Sequence, residues 1–161
     1  MQIILTISKQ AVLDEVAQTT DYTGAKLIGD ESGEAYDRIK TVDADDTALE
    51  RFWDECRSNM AKRMINLLDN EAENGDNYTV TLNVSASFPA STGSDAATHT
   101  ALKNSMKDAL FSYMVQGITA KWYVYAKKDE AEQYAARAAA ALDDMREKAY
   151  FKKKPTRPRY S

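Results

Sequence analysis

Apolar residues recur at three- and four-residue spacing through Leu49, Phe52, Trp53, Cys56, Met60, Met64, Leu67 and Leu68. That is one helix face held for about 25 residues, and it constrains the fold more than any other feature. Such a stripe must lie against other helices. Two further runs supply them. Leu102, Met106, Ala109, Leu110, Tyr113, Met114, Ile118, Trp122 and Tyr125 mark an inner face from Thr98 to Ala126. Ala131, Tyr134, Ala138, Ala141, Leu142, Met145 and Ala149 mark another over Glu130–Phe151, with small alanines that let a neighbour approach closely. Asp43 is a good N-cap for the first run, Asp45 and Asp46 sit where the helix dipole favours negative charge, and Asp129 caps the last. Gly75, in the polar stretch Asn74–Asn77, marks the end of the first run. Gly117 sits mid-helix, where glycine costs about 1 kcal/mol against alanine; it serves either close packing or a bend.

Between the first two of these helices the period changes. Tyr78, Val80, Leu82, Val84, Ala86 and Phe88 alternate with polar residues, the pattern of a strand with one face buried. Pro89 stops it, and residues 89–98 read as a loop. Near the start, Ile3, Ile4, Leu5 and Ile7 form a short strand or extended arm. Ser8 then caps a helix of about ten residues with Val12, Leu13 and Val16 on one face. Residues 20–41 contain Gly24, Gly29 and Gly33 and read as a loop with a helical turn around Ala35–Ile39. No full-length mate for the strand at Tyr78–Phe88 is evident, because residues 3–7 are short. Tyr78, Val80, Leu82, Val84 and Phe88 are therefore expected to form an inter-subunit edge, since unpaired backbone groups seek another chain.

The expected fold is mainly α: a three- to four-helix bundle over residues 1–150, with a strand or hairpin excursion at 78–88 between the second and third long elements. An extended arm follows at 151–161, where Pro155 and Pro158 forbid helix. The arm carries Lys152, Lys153, Lys154, Arg157 and Arg159 and no acid, bracketed by Phe151 and Tyr160. The chain as a whole carries −4, so the other 150 residues carry −9 against +5 in the arm. An acidic body with a basic arm points to a negative partner, either nucleic acid or an acidic subunit surface. At 161 residues the chain can bury roughly 68–70% of its unfolded surface and needs no staples. The start lacks the layout of a signal peptide, and no apolar run reaches the roughly 20 residues of a membrane helix. A soluble cytoplasmic product is expected.

Catalytic patterns are missing. His99 and Cys56 are each the only residue of their kind, which rules out histidine pairs, cysteine clusters and structural zinc. Cys56 lies on an apolar helix face and reads as a buried thiol. His99 reads as a solvated residue. Asp43, Asp45 and Asp46 lack the glycine and distal glutamate of a calcium loop. Asp143 and Asp144 read as a solvated face. No phosphate-cradling glycine loop or nucleophile elbow occurs. Trp122 and Tyr125 read as core, leaving Tyr123 to face a partner. No enzyme activity, cofactor or metal is expected.

The segments DADDTALERFWDECRSNM and LKNSMKDALFSYMVQGITAKWYVY, with the patterns D-x-D-D-x-x-L-E and A-K-W-Y, sit on either side of the β excursion. In this layout residues 43–150 resemble the head–tail connector (neck adaptor) proteins of tailed bacteriophages. The ending REKAYFKKKPTRP is also similar to small proteins of prophage-type gene clusters in gut bacteria. The resemblance implies a virion neck protein, assembled in the bacterial host cytoplasm as a ring of about twelve copies on the portal protein. Such a ring extends the DNA channel without sequence-specific binding and gives the next neck or tail protein a platform. It also implies that Phe151–Ser161 reaches along the portal and that Tyr78–Phe88 lines or borders the channel. The glycine-containing segment 20–41 and the basic arm depart from that family's pattern. Two other roles fit the same residues: a nucleic-acid-binding regulator using the arm, or another neck component such as a tail-completion protein.

Overall fold

The computed structural model describes residues 1–27 and 45–152. In chain order the elements are β1 (Gln2–Ser8), α1 (Lys9–Leu27), α2 (Asp46–Arg63), β2 (Leu68–Asn74), β3 (Asn77–Asn83), a 3-10 turn at Gly93–Asp95, α3 (Ala96–Ala126) and α4 (Lys128–Ala149). The fold is mainly helical, with a small antiparallel sheet ordered β1-β3-β2. The hairpin falls between the second and third helices, as the change of period predicts.

α3 is the hub. It packs along α4, against α1 and α2, and against β1. Its buried residues therefore run most of the way round it between Met106 and Tyr123. One hydrophobic cluster joins the inner faces of all four helices to Ile3, Leu5 and Ile7 of β1 and to Tyr78, Val80 and Leu82 of β3. Gly117 permits the closest approach: a Cβ there would lie 2.9 Å from Cys56 Sγ and 3.9 Å from Ala138 Cβ. Close packing, not a bend, is what this glycine provides, since α3 runs unbroken from Ala96 to Ala126.

The expected strand edge is corrected by the sheet. β3 is the central strand, paired with β1 on one side and β2 on the other. Tyr78, Val80 and Leu82 are 0% exposed, so they form no inter-subunit edge. The strand also stops at Asn83. Beyond it the Val84 N–H bonds the Met1 carbonyl, the Ser85 N–H bonds Ala149, and a turn closes from the Phe88 N–H to Ser85. Val84 and Phe88 stay buried, but Ala86 between them is exposed, so the alternation beyond Asn83 belongs to the sequence and not to a strand.

β3 has two mates: β1, expected to be too short, pairs with all seven of its residues, and β2 is the one the periodicity assigned to helix. α2 ends at Arg63, and the Leu67 and Leu68 N–H groups both bond the Met64 carbonyl at 2.8 Å. Met64 and Leu67 are buried from the turn itself, so they keep the apolar spacing without prolonging the helix. Gly75 is the first residue of a two-residue hairpin loop between the paired Asn74 and Asn77. Its φ of +61°, with no positive φ at Asp76, is the type II′ pattern that favours glycine there.

α1 is nearly twice as long as expected and absorbs residues 20–27. Thr20 is buried, with Oγ1 donating to the Ala17 carbonyl at 3.1 Å, and α1 packs on α3; that burial outweighs the weak helix propensity of the threonine pair. The rest of the expected loop, including the turn at Ala35–Ile39, lies outside the described residues, as does Asp43. Asp45 stands at the N-cap position of α2 instead. The Ser8 cap is observed: its Oγ accepts the Ala11 N–H at 3.1 Å. Asp76, from the hairpin turn, joins that cap. It accepts the Gln10 N–H at 2.7 Å and the Ser8 hydroxyl at 2.5 Å, and these bonds hold its carboxyl below the ordinary aspartate range.

Candidate docking surface

Charged and aromatic groups converge where α2 crosses the β2–β3 hairpin. β2 has an uncommon pattern for a strand over a core: its inward positions beside Val80 and Tyr78 are Glu71 and Glu73. Arg57 grips Glu71 with two bonds, Nε to Oε2 at 3.1 Å and Nη2 to Oε1 at 2.9 Å. Tyr78 donates its hydroxyl to Glu71 Oε2 at 2.5 Å. Arg57 Nη1 lies 3.3 Å from Glu73 Oε1, which also accepts the Trp53 indole N–H. Lys9 lies over the Trp53 ring and pairs with Glu50 at 2.7 Å. Burial pushes the Glu71 carboxyl up, but the bonds from Arg57 and Tyr78 and the Arg57 charge outweigh it and hold it below the usual glutamate range. Burial and Glu71 raise the Tyr78 phenol. Each carboxylate is matched by donors, so the cluster ties hairpin to helix.

The end of α3 is different. Tyr125 is 74% exposed and Val124 54%, two neighbouring apolar side chains open to solvent. Tyr125 stacks on Phe52, ring centroids 6.2 Å apart at 13°, and Arg51 lies over the other aromatic ring at 5.3 Å. A hollow of about 410 Å³ is lined by Arg51, Phe52, Glu55, Lys121, Val124 and Tyr125. A second, of about 230 Å³, continues it over Ala120, Ala131 and Ala135. Aromatic side chains with arginine at their rim are the composition of interface cores. The inner-face assignment for this turn is corrected. Tyr123 is fully buried, edge-on to Tyr134 at 5.1 Å, and Tyr125 faces out. α4 covers the side of α3 that a single-stripe reading leaves wet.

At the other end of α4, Phe151 packs partly buried against the core, and Lys152 is exposed. Lys153, Lys154, Arg157, Arg159 and Tyr160 lie outside the described residues. Cys56 is buried beneath Gly117, and burial pushes its thiol up to about 12 despite the pull of Lys121. Native protein at pH 8 is therefore expected to react with a disulfide reagent about 100-fold or more slower than urea-unfolded protein, read as thionitrobenzoate release. His99 is half-buried, edge-on to Phe88 at 5.5 Å, not solvated as expected. Asp143 pairs with Arg63 at 2.8 Å and Asp144 with Lys148 at 2.5 Å. Among the described residues no group of three or more His, Cys, Asp or Glu is placed to hold a metal ion. No described helix is long and apolar enough to cross a membrane.

Comparison with protein-family models, with curated proteins and with solved structures returns no match to this chain.

Proposed function

We propose that the chain is a non-enzymatic assembly subunit of the head–tail connector kind, forming a ring on a portal protein in the virion neck. One observation supports this best: an exposed aromatic patch lies at one end of the α3–α4 hairpin, and the chain leads out from the other end toward its basic segment. The aromatic patch at Val124–Tyr125 sits where α4 begins, and the basic arm leaves where α4 ends. α4 has 22 residues, which sets these ends about 33 Å apart. A subunit between two layers needs a surface for each, and α4 separates the aromatic patch from the point where the arm begins. In this reading the cations of residues 152–159 meet an acidic neighbouring surface, and the aromatic patch meets an apolar one. The acidic body favours passage of DNA over capture, because phosphates release no counterions to carboxylates.

Electron microscopy of the purified chain, alone and with a portal and next neck protein encoded beside it, tests this reading. Rings, or a portal-bound layer lost on Tyr125→Asp and on removal of residues 152–161, are the expected result. A chain that stays out of every ring and ignores both proteins overturns it.

A further inference from the structure

The sheet has two edges of opposite character. β2 carries Asp69, Glu71 and Glu73 and a register shift between Leu68 and Asn70. Charges and bulges on an edge block further pairing. β1, QIILTIS, has no charge, no proline and no bulge.

The direction of its backbone groups follows from the register. The Val84 N–H bonds the Met1 carbonyl at 2.8 Å, and the Lys9 N–H bonds the Asp76 carbonyl at 2.9 Å. Bonded and non-bonded pairs alternate in an antiparallel ladder. With Ile3 opposite Leu82, Leu5 opposite Val80 and Ile7 opposite Tyr78, the odd residues of β1 bond β3. The N–H and C=O groups of Gln2, Ile4 and Thr6 therefore point away from it. No strand flanks them among the described residues. Ile4 also presents its side chain to solvent, 52% exposed, although isoleucine at a strand centre is usually covered.

We infer that this edge pairs with β1 of a second copy, antiparallel, about a two-fold axis at Ile4. In that register Ile4 faces Ile4 and exchanges both backbone bonds with it. Gln2 faces Thr6 of the second copy, and Thr6 faces its Gln2. All three outward donors and all three outward acceptors of each strand are then used. The two exposed isoleucines cover each other, and no like charges meet, as they would if β2 paired with itself. The result is a six-stranded sheet, and an isologous contact of this kind closes at two copies. The chain's own basic arm is a poor occupant. Pro155 and Pro158 are three apart, so in any register one of them turns its missing N–H toward β1. This contact is separate from the aromatic patch and the arm; being two-fold, it is a contact of the free chain and not one between neighbours in a portal ring.

The test combines sedimentation velocity with amide hydrogen exchange on the full chain over a range of concentrations. The Ile3, Leu5 and Ile7 amides are expected to be protected at all concentrations. Those of Ile4 and Thr6 should gain protection as the dimer forms. Ile4→Lys sets two charges face to face across the axis and should weaken dimerisation about tenfold or more. Ile4→Pro removes only an outward N–H and should do the same while circular dichroism stays unchanged; if it does not fold, Ile4→Lys and the exchange data decide. A chain that is monomeric up to its solubility limit overturns the inference. So does a dimer that ignores Ile4→Lys while Ile4 and Thr6 exchange openly. Failure of the neck reading leaves this dimer intact, and loss of the dimer leaves portal binding intact, so the two outcomes are separable.

Discussion

Arg57→Met is expected to lower stability by about 2–4 kcal/mol, seen as a fall in the urea midpoint at pH 7 with an unchanged slope. Methionine keeps much of the aliphatic bulk, so the loss is chiefly of charge and hydrogen bonds. Arg57, Glu71 and Glu73 have side chains only 21%, 25% and 29% exposed. Without the guanidinium, two carboxylates on neighbouring inward positions of β2 keep only Lys9, 3.9 Å from Glu73, as a nearby cation, and Glu71 loses both of its charge-assisted bonds. Removing one member of a fully buried pair costs about 3–5 kcal/mol, and partial exposure moves the expectation down from that range. The pH dependence has a definite sign. Burial raises the Glu71 carboxyl, but its hydrogen bonds and Arg57 win, so the folded value lies below the unfolded one. This contribution is therefore fully present above the ordinary glutamate range and is lost as pH falls through the depressed folded value. Glu71→Gln should be less stable than wild type at pH 7, and the gap should close in acid. A gap that stays constant from neutral to acid pH would count against the ion network as its source.

Gly117→Ala is expected to destabilise by about 1–3 kcal/mol, although alanine in a helix interior is normally better than glycine by about 1 kcal/mol. The added carbon would lie 2.9 Å from Cys56 Sγ, closer than carbon and sulfur can sit. Cys56 has little room to give, because the carbonyl of the same residue accepts the Tyr113 hydroxyl at 2.8 Å. Cys56→Ala removes the obstructing atom. The double variant should therefore be more stable than the sum of the two single losses by about 0.5–2 kcal/mol. Additivity within error in a thermal or urea double-mutant cycle would show that the clash is not what Gly117 avoids.

These two sites also mark what could be read from the residues alone. α3 and α4 were legible to within about two residues at their ends because long apolar runs repeat at helical spacing, but Asp129, read as the cap of α4, lies in its first turn behind Lys127. The Ser8 cap was legible because its signal is local. β2 was not, because its inward positions are glutamates. Their partners, Arg57 and Trp53, lie on another element, and a pattern of apolar alternation cannot see them. The signal that was present is the Asn74–Gly75 step just before an alternating segment, which marks a hairpin turn as well as a helix stop. Reading Gly75 as a stop, and residues 3–7 as too short to pair, left β3 without its two mates and moved the open edge to the wrong strand. Tyr123 and Tyr125 exchanged roles for a related reason. A single-stripe reading fits a helix covered on one side, and α3 is covered on several. The exposure of Tyr125 was hidden because burial at the end of a covered helix depends on where its neighbours stop.

The pairing of β1 with β3 joins residues that leave the ribosome far apart in time. Each residue of Gln2–Ser8 is made roughly 70–80 residues before its mate in Asn77–Asn83, and such distant pairings form late. Throughout that interval the segment QIILTIS is uncovered on both sides, with no charge to keep it from its like on neighbouring chains. Yield in the cell should therefore respond to whatever shields those seven residues while the hairpin is still being synthesised.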